Sequence, residues 1–210
     1  MRLHVFPPSP NAIKVLAAAA LLELPYERVI VDLFKGEQKR RAFTALNPNQ
    51  KMPVLEDDGF VLWESNAILQ YLAGKRPERG FWPSDPRRQA DVSRWQFWQA
   101  IHWGPTCGTY VFERVVKRRM ALGPANEAEV TRVEPDFQRH AAVLNGRLRD
   151  RRWVTGDALT VADVSLGAWM VYADEAGYPL AAYPEITRWY AGLAALPGWQ
   201  HALPDERSRP

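Results

Sequence analysis

Three short stretches hold residue types able to do chemistry at close quarters. They are Ser9-Pro10-Asn11, Gln50-Lys51-Met52-Pro53 and Glu64-Ser65-Asn66. Val54-Leu55 and the apolar residues after Asp58-Gly59 form a hairpin pattern, because Asp-Gly accepts the positive φ angles of a tight turn. Ser65 then reads as the N-cap of an amphipathic helix carrying Ala67, Ile68, Leu69 and Leu72. A helix that starts directly off a hairpin sets free backbone N–H groups and a positive dipole end beside Glu64 and the Met52-Pro53 bond. That place suits a ligand with both a carboxylate and an ammonium, and a peptide terminus has both. The plainer reading makes Ser65 a cap, Glu64 a well-placed charge and Pro53 the opening of a strand.

The elements that position these residues follow from local signals. Leu3, Val5 and Phe6 suggest a buried strand that Pro7-Pro8 ends; Ser9 caps the next helix, with Pro10 in its first position. Ile13, Leu16, Ala17, Ala20 and Leu24 keep to one helical face, and Pro25-Tyr26 ends it. Arg28 to Val31 reads as a second strand, and Gly36 to Arg41 leads into a short helix ending near Leu46. Strand, helix, strand, helix, hairpin, helix is the order of a thioredoxin-like α/β domain, expected over residues 1–74.

Residues 75–85, with Pro77, Gly80 and Pro83, read as a linker, and residues 86–210 as an all-α domain. Asp85-Pro86 starts a helix that Gly104-Pro105 is expected to break or kink. Val130, Val133, Phe137, Ala141, Leu144 and Leu148 form a second stripe, with Pro135 expected to kink it or delay its start. Thr160 and Asp163 have capping-box spacing ahead of an apolar run to Tyr172, so Asp163 is a folding signal rather than a catalytic acid. A last stripe through Ile186, Trp189, Tyr190 and Leu193 is expected to close at Pro197-Gly198.

Composition excludes several classes. The chain has 210 residues, with 27 basic against 24 acidic side chains. Lys117-Arg118-Arg119 and Asp150-Arg151-Arg152 lie in helical patterns without aromatic stacking motifs, so no nucleic-acid partner is expected. The single cysteine, Cys107, rules out an internal disulfide and fits a reducing, cytoplasmic setting. His4, His102, His140 and His201 are scattered without ligand spacing, and no metal is expected. The apolar run Val15 to Leu22 falls far short of the roughly 20 residues of a membrane span. A strand and three prolines precede it, unlike a signal peptide, so no membrane partner is expected.

Met52-Pro53-Val54-Leu55 and Glu64-Ser65-Asn66-Ala67-Ile68-Leu69-Gln70-Tyr71-Leu72, with Ser9-Pro10-Asn11-Ala12-Ile13-Lys14-Val15, resemble the motifs of the cytosolic glutathione transferases. The likeness is to bacterial members with a Ser/Thr-Pro-Asn turn. It implies a cis Met52-Pro53 bond, which leaves the Met52 N–H and C=O to pair with the backbone of bound glutathione. By the same resemblance, Ser65 holds the γ-glutamyl carboxylate and Glu64 the ammonium. Gln50 and Lys51, with Lys39 on the short helix as the lesser candidate, meet the glycine carboxylate. Glutathione is then a co-substrate, the second substrate is small and apolar, and the chain is a homodimer. The aromatic stretch Trp103 to Phe112 is expected to contribute to the second-substrate site, and Cys107 either lines that cleft or packs in the core.

In this family's turn the catalytic candidates are Ser9 and Asn11. A serine that only caps accepts from an N–H one turn in, whereas a catalytic one donates to a thiolate. Lowering a thiol by two units from about 8.5 takes about 2.7 kcal/mol. A charge-assisted hydrogen bond of about 1.5 to 3 kcal/mol with a helix dipole of about 0.3 to 1 supplies that amount. Transfer of glutathione to an apolar electrophile is the implied activity; alternatives are glutathione-dependent disulfide or peroxide reduction and a non-catalytic binding or assembly module.

Overall fold

A computed structural model of the chain describes residues 1–203; residues 204–210, the end of the expected helical domain, lie outside the described residues. The chain divides into two compact units, one of Met1–Trp82 with residues 196–203 and one of Pro83–Ala195.

The first unit holds β1 (Arg2–Val5), α1 (Pro10–Leu21), β2 (Glu27–Ile30), α2 (Arg41–Leu46), β3 (Val54–Asp57), β4 (Phe60–Trp63) and α3 (Ser65–Gly74). Its sheet runs β2-β1-β3-β4, with β1 parallel to β2 and the other neighbours antiparallel. This is the expected thioredoxin-like arrangement. Asp58 and Gly59 take φ of 49° and 81°, the left-handed pair that matches the twist of a two-residue hairpin. Asp57 ties α3 back to the hairpin, accepting from the Tyr71 hydroxyl at 2.8 Å and from the Lys75 ammonium.

The second unit is helical: α4 (Pro86–Trp98), α5 (Gly104–Val111), α6 (Lys117–Arg119), α7 (Glu127–Leu148), α8 (Val161–Gly167) and α9 (Pro184–Ala194). Gly104-Pro105 does not end a helix. The backbone passes from α4 into α5 through a π-helical stretch, Gln99–Trp103, whose wider turn accommodates the proline. Gly104 is required there, since a Cβ would stand 2.9 Å from the Gln99 backbone carbonyl oxygen. Pro135 likewise lies inside α7, which starts earlier at Glu127 with Asn126 as its cap.

Every residue of α8 is buried, and the Thr160–Asp163 capping box is complete. Asp163 also reaches beyond the box: Oδ1 accepts from the Val154 N–H at 2.8 Å and from Trp189 Nε1 at 2.9 Å. Burial pushes its carboxyl above the ordinary range, and four donors act against that push. Pro197-Gly198 does not merely close α9 but opens α10 (Pro197–Ala202), which packs on α1 in the first unit. The approach is close because Gly198 has no Cβ; one would stand 3.0 Å from the Leu21 backbone.

Candidate functional site

Sheet register brings the three chemical stretches to one end of the sheet. His4 pairs with Val54, and Val54 with Trp63. The exit of β1 toward Ser9, the entry to β3 from Met52-Pro53 and the exit of β4 into Glu64-Ser65 therefore lie side by side. The Met52-Pro53 peptide is cis. No acidic side chain occupies the first turn of α1 or of α3, so neither positive helix end is neutralised from within that turn.

Ser9 is the N-cap of α1, but its side chain makes no capping hydrogen bond. Its carbonyl alone accepts, from the Ala12 and Ile13 N–H groups at 2.9 Å. The simple cap reading of this hydroxyl is thereby removed.

Ser65 is not a cap either. It is the first residue of α3, and Glu64 takes the N-cap position at φ 73°, a left-handed angle that costs a non-glycine residue of order 1 kcal/mol. This turn keeps Glu64 exposed and leaves Ser65 buried with its hydroxyl free of capping duty. The hydroxyl instead donates to Asn11 Oδ1 at 3.3 Å and accepts from Lys14 Nζ at 3.4 Å.

Lys14 is the residue that sequence reasoning missed. It sits on α1 only 1% exposed, and burial lowers its ammonium from 10.5 to about 7 while Glu64 pulls the other way. The available signal was a lone charge inside the apolar stripe between Ile13 and Val15.

Gln50 and Lys51 occupy the exposed turn before Met52-Pro53, and Gln50 has φ 57°. Buried Asn47, also missed, braces that turn: its Nδ2 donates to the Lys51 carbonyl at 2.7 Å, and its Oδ1 accepts from the Asn49 N–H at 3.0 Å. Lys39 is exposed in a separate 3₁₀ turn, Glu37–Lys39. Of the aromatic stretch in the second unit, Trp103, Cys107, Tyr110 and Val111 are core, whereas Phe112 is exposed. Burial pushes the Cys107 thiol up, so it packs as an apolar group and holds little thiolate. Among the described residues no cluster of His, Cys, Asp or Glu could hold a metal, and no helix is long and apolar enough to cross a membrane.

Residues 1–74 match the family described as glutathione S-transferase, N-terminal domain, and residues 127–192 the corresponding C-terminal domain. The disulfide-bond oxidoreductase YfcG of Escherichia coli is 32% identical, with 97% of each chain covered. A glutathione S-transferase of Hyoscyamus muticus is 29% identical, again over 97% of each. A solved glutathione S-transferase from Pseudomonas fluorescens is 33% identical with a TM-score of 0.84, covering 94% of this chain and 96% of its own. Poplar glutathione transferase F2, at 24% identity and a TM-score of 0.87 over 96% of each chain, shares the fold.

Proposed function

The chain belongs to the glutathione S-transferase family, and from that premise we propose that it binds glutathione at the sheet end and activates its thiol for attack on a small apolar electrophile. The observation that carries this reading is the convergence of Asn11, Ser65 and Glu64 beside the Met52-Pro53 bond, with the Ser9 and Ser65 hydroxyls both released from capping. Ser65 receives the γ-glutamyl carboxylate and Glu64 its ammonium. The Met52 backbone pairs with the central residue, and Gln50 and Lys51 meet the glycine carboxylate. Lys39 is the outlying candidate for that last contact.

Glu64→Gln is expected to weaken glutathione binding about ten- to a hundredfold in calorimetry, with little change in melting temperature, because the ammonium contact exists only in the complex. Unchanged affinity would return Glu64 to the role of a turn residue. Thiol activation is tested by ultraviolet titration of bound glutathione in Ser9→Ala and Asn11→Ala. The variant that removes the donor should raise the bound thiol's pKa by about one to two units. If neither variant moves it, the backbone N–H groups at the start of α1 are the activating donors.

A second reading, glutathione-dependent disulfide or peroxide reduction, is favoured by one observation, the likeness to a disulfide-bond oxidoreductase. Turnover with glutathione against halo-aromatic, epoxide, peroxide and disulfide substrates separates the two. We further propose a cytoplasmic homodimer. Its shared face would draw on Phe97 and Ile101, 67% and 64% exposed in the second unit. Sedimentation as a monomer at micromolar concentration would remove the dimer.

A further inference from the structure

We propose that Lys14 is a positioning residue that sets which way the Asn11 amide faces and thereby aims its NH2 group at the thiol of bound glutathione. Three side chains form one chain of hydrogen bonds: Lys14 Nζ to Ser65 Oγ at 3.4 Å, and Ser65 Oγ to Asn11 Oδ1 at 3.3 Å. The direction of that chain follows from chemistry alone. A lysine ammonium has three donors and no acceptor, so Ser65 Oγ must accept from it. The single Ser65 proton is then spent on Asn11, whose side chain must present its oxygen to receive it. The Asn11 nitrogen, a pure donor, is left facing away from Ser65. A thiolate needs a donor of that kind.

Without the ammonium the chain has no fixed sense. Ser65 Oγ could accept from the Asn11 amide instead, turning the NH2 group inward and presenting a carbonyl oxygen, which repels a thiolate. Lys14 is well placed for the task because it is held inside α1, 1% exposed, with no access to bulk water. Burial works against its charge, and Glu64, in the turn just before Ser65, is the carboxylate that favours it. The γ-glutamyl carboxylate, received by the Ser65 backbone N–H while the hydroxyl proton stays on Asn11, adds a second negative charge nearby. Ligand binding therefore reinforces the protonated state on which the alignment depends.

The inference rests on the glutathione reading, and its test separates the two. Ultraviolet titration of the bound thiolate is compared in wild type, Lys14→Met, Asn11→Ala and the double variant. Lys14→Met and Asn11→Ala are each expected to raise the bound thiol's pKa by about one unit, a tenfold loss of thiolate at neutral pH. The double variant should rise no further than Asn11→Ala alone, because both changes act through one donor. An unmoved titration in Lys14→Met, or shifts that add in the double variant, overturns the relay while leaving glutathione binding in place. A wild-type protein that does not bind glutathione overturns both readings. Ser65→Ala cuts the chain at its middle and gives the result independently of any change at Lys14: it must match Asn11→Ala in thiol pKa, and a wild-type titration there rejects the relay.

Discussion

Asp163→Ala is expected to lower the stability of the chain by about 3 to 5 kcal/mol, well beyond the roughly 1 kcal/mol of a lost helix cap. Asp163 is fully buried and its two oxygens accept four donors: the Val154 and Thr160 N–H groups, the Thr160 hydroxyl and Trp189 Nε1. Alanine would strand the Val154, Thr160 and Trp189 N–H groups, while the Thr160 hydroxyl keeps the Thr155 hydroxyl at 3.2 Å, and each buried, unpaired donor costs on the order of 1 to 3 kcal/mol. The carboxylate thus joins the loop before α8, the first turn of α8 and α9. Asp163→Asn keeps the shape but sets an NH2 against two of those donors, so it too should destabilise. Urea denaturation followed by circular dichroism measures the loss. A value near that of an ordinary cap would mean that the Val154 and Trp189 contacts contribute nothing.

Lys14→Met is expected to change stability in the opposite direction, raising it by about 2 to 4 kcal/mol at pH 7. Burial holds the folded-state ammonium at about 7 against 10.5 for an exposed lysine. Each unit of that difference is worth about 1.4 kcal/mol, partly offset by the hydrogen bond that methionine cannot make. Because the folded value is the lower one, the unfolded chain binds more protons throughout the window between them, and stability rises with pH there. The burden of Lys14 is therefore full below about 7 and vanishes above 10.5. The advantage of the methionine variant should shrink between pH 7 and pH 10. Paired urea titrations at those two values check it, and an advantage that stayed constant with pH would show that it comes from packing alone. A group that lowers stability at neutral pH, and that donates directly to the candidate ligand residue Ser65, is the pattern expected where function opposes stability.

Features encoded within a turn or two of chain were legible from residue types and spacing alone. The Asp58-Gly59 hairpin, Pro10 at the start of α1 and the Thr160–Asp163 box each depend on neighbours no more than about four residues apart, and all three are present. The strand and helix order of the first unit was legible for the same reason, since residue periodicity reports which face is buried. One sequence reading failed and two were incomplete where distant residues decided the outcome. Glu64 rather than Ser65 caps α3, because the β4 exit enters the helix at a left-handed angle. The break or kink expected at Gly104-Pro105 takes the form of a π turn between α4 and α5. Pro197-Gly198 begins a helix, because glycine lets that segment reach the α1 backbone.

The candidate site divides in the same way. Its residue types were visible, but its connections were not. Lys14 meets Ser65 across 51 positions of sequence and Asn11 meets Ser65 across 54, and no local pattern encodes such pairings. Only the packing of α1 and α3 in the first unit buries the lysine, removes water from its ammonium and leaves Ser65 to receive it. The sequence determined which groups were available for this chemistry; tertiary structure decided which of them share protons, because that depends on burial and direction rather than on spacing along the chain.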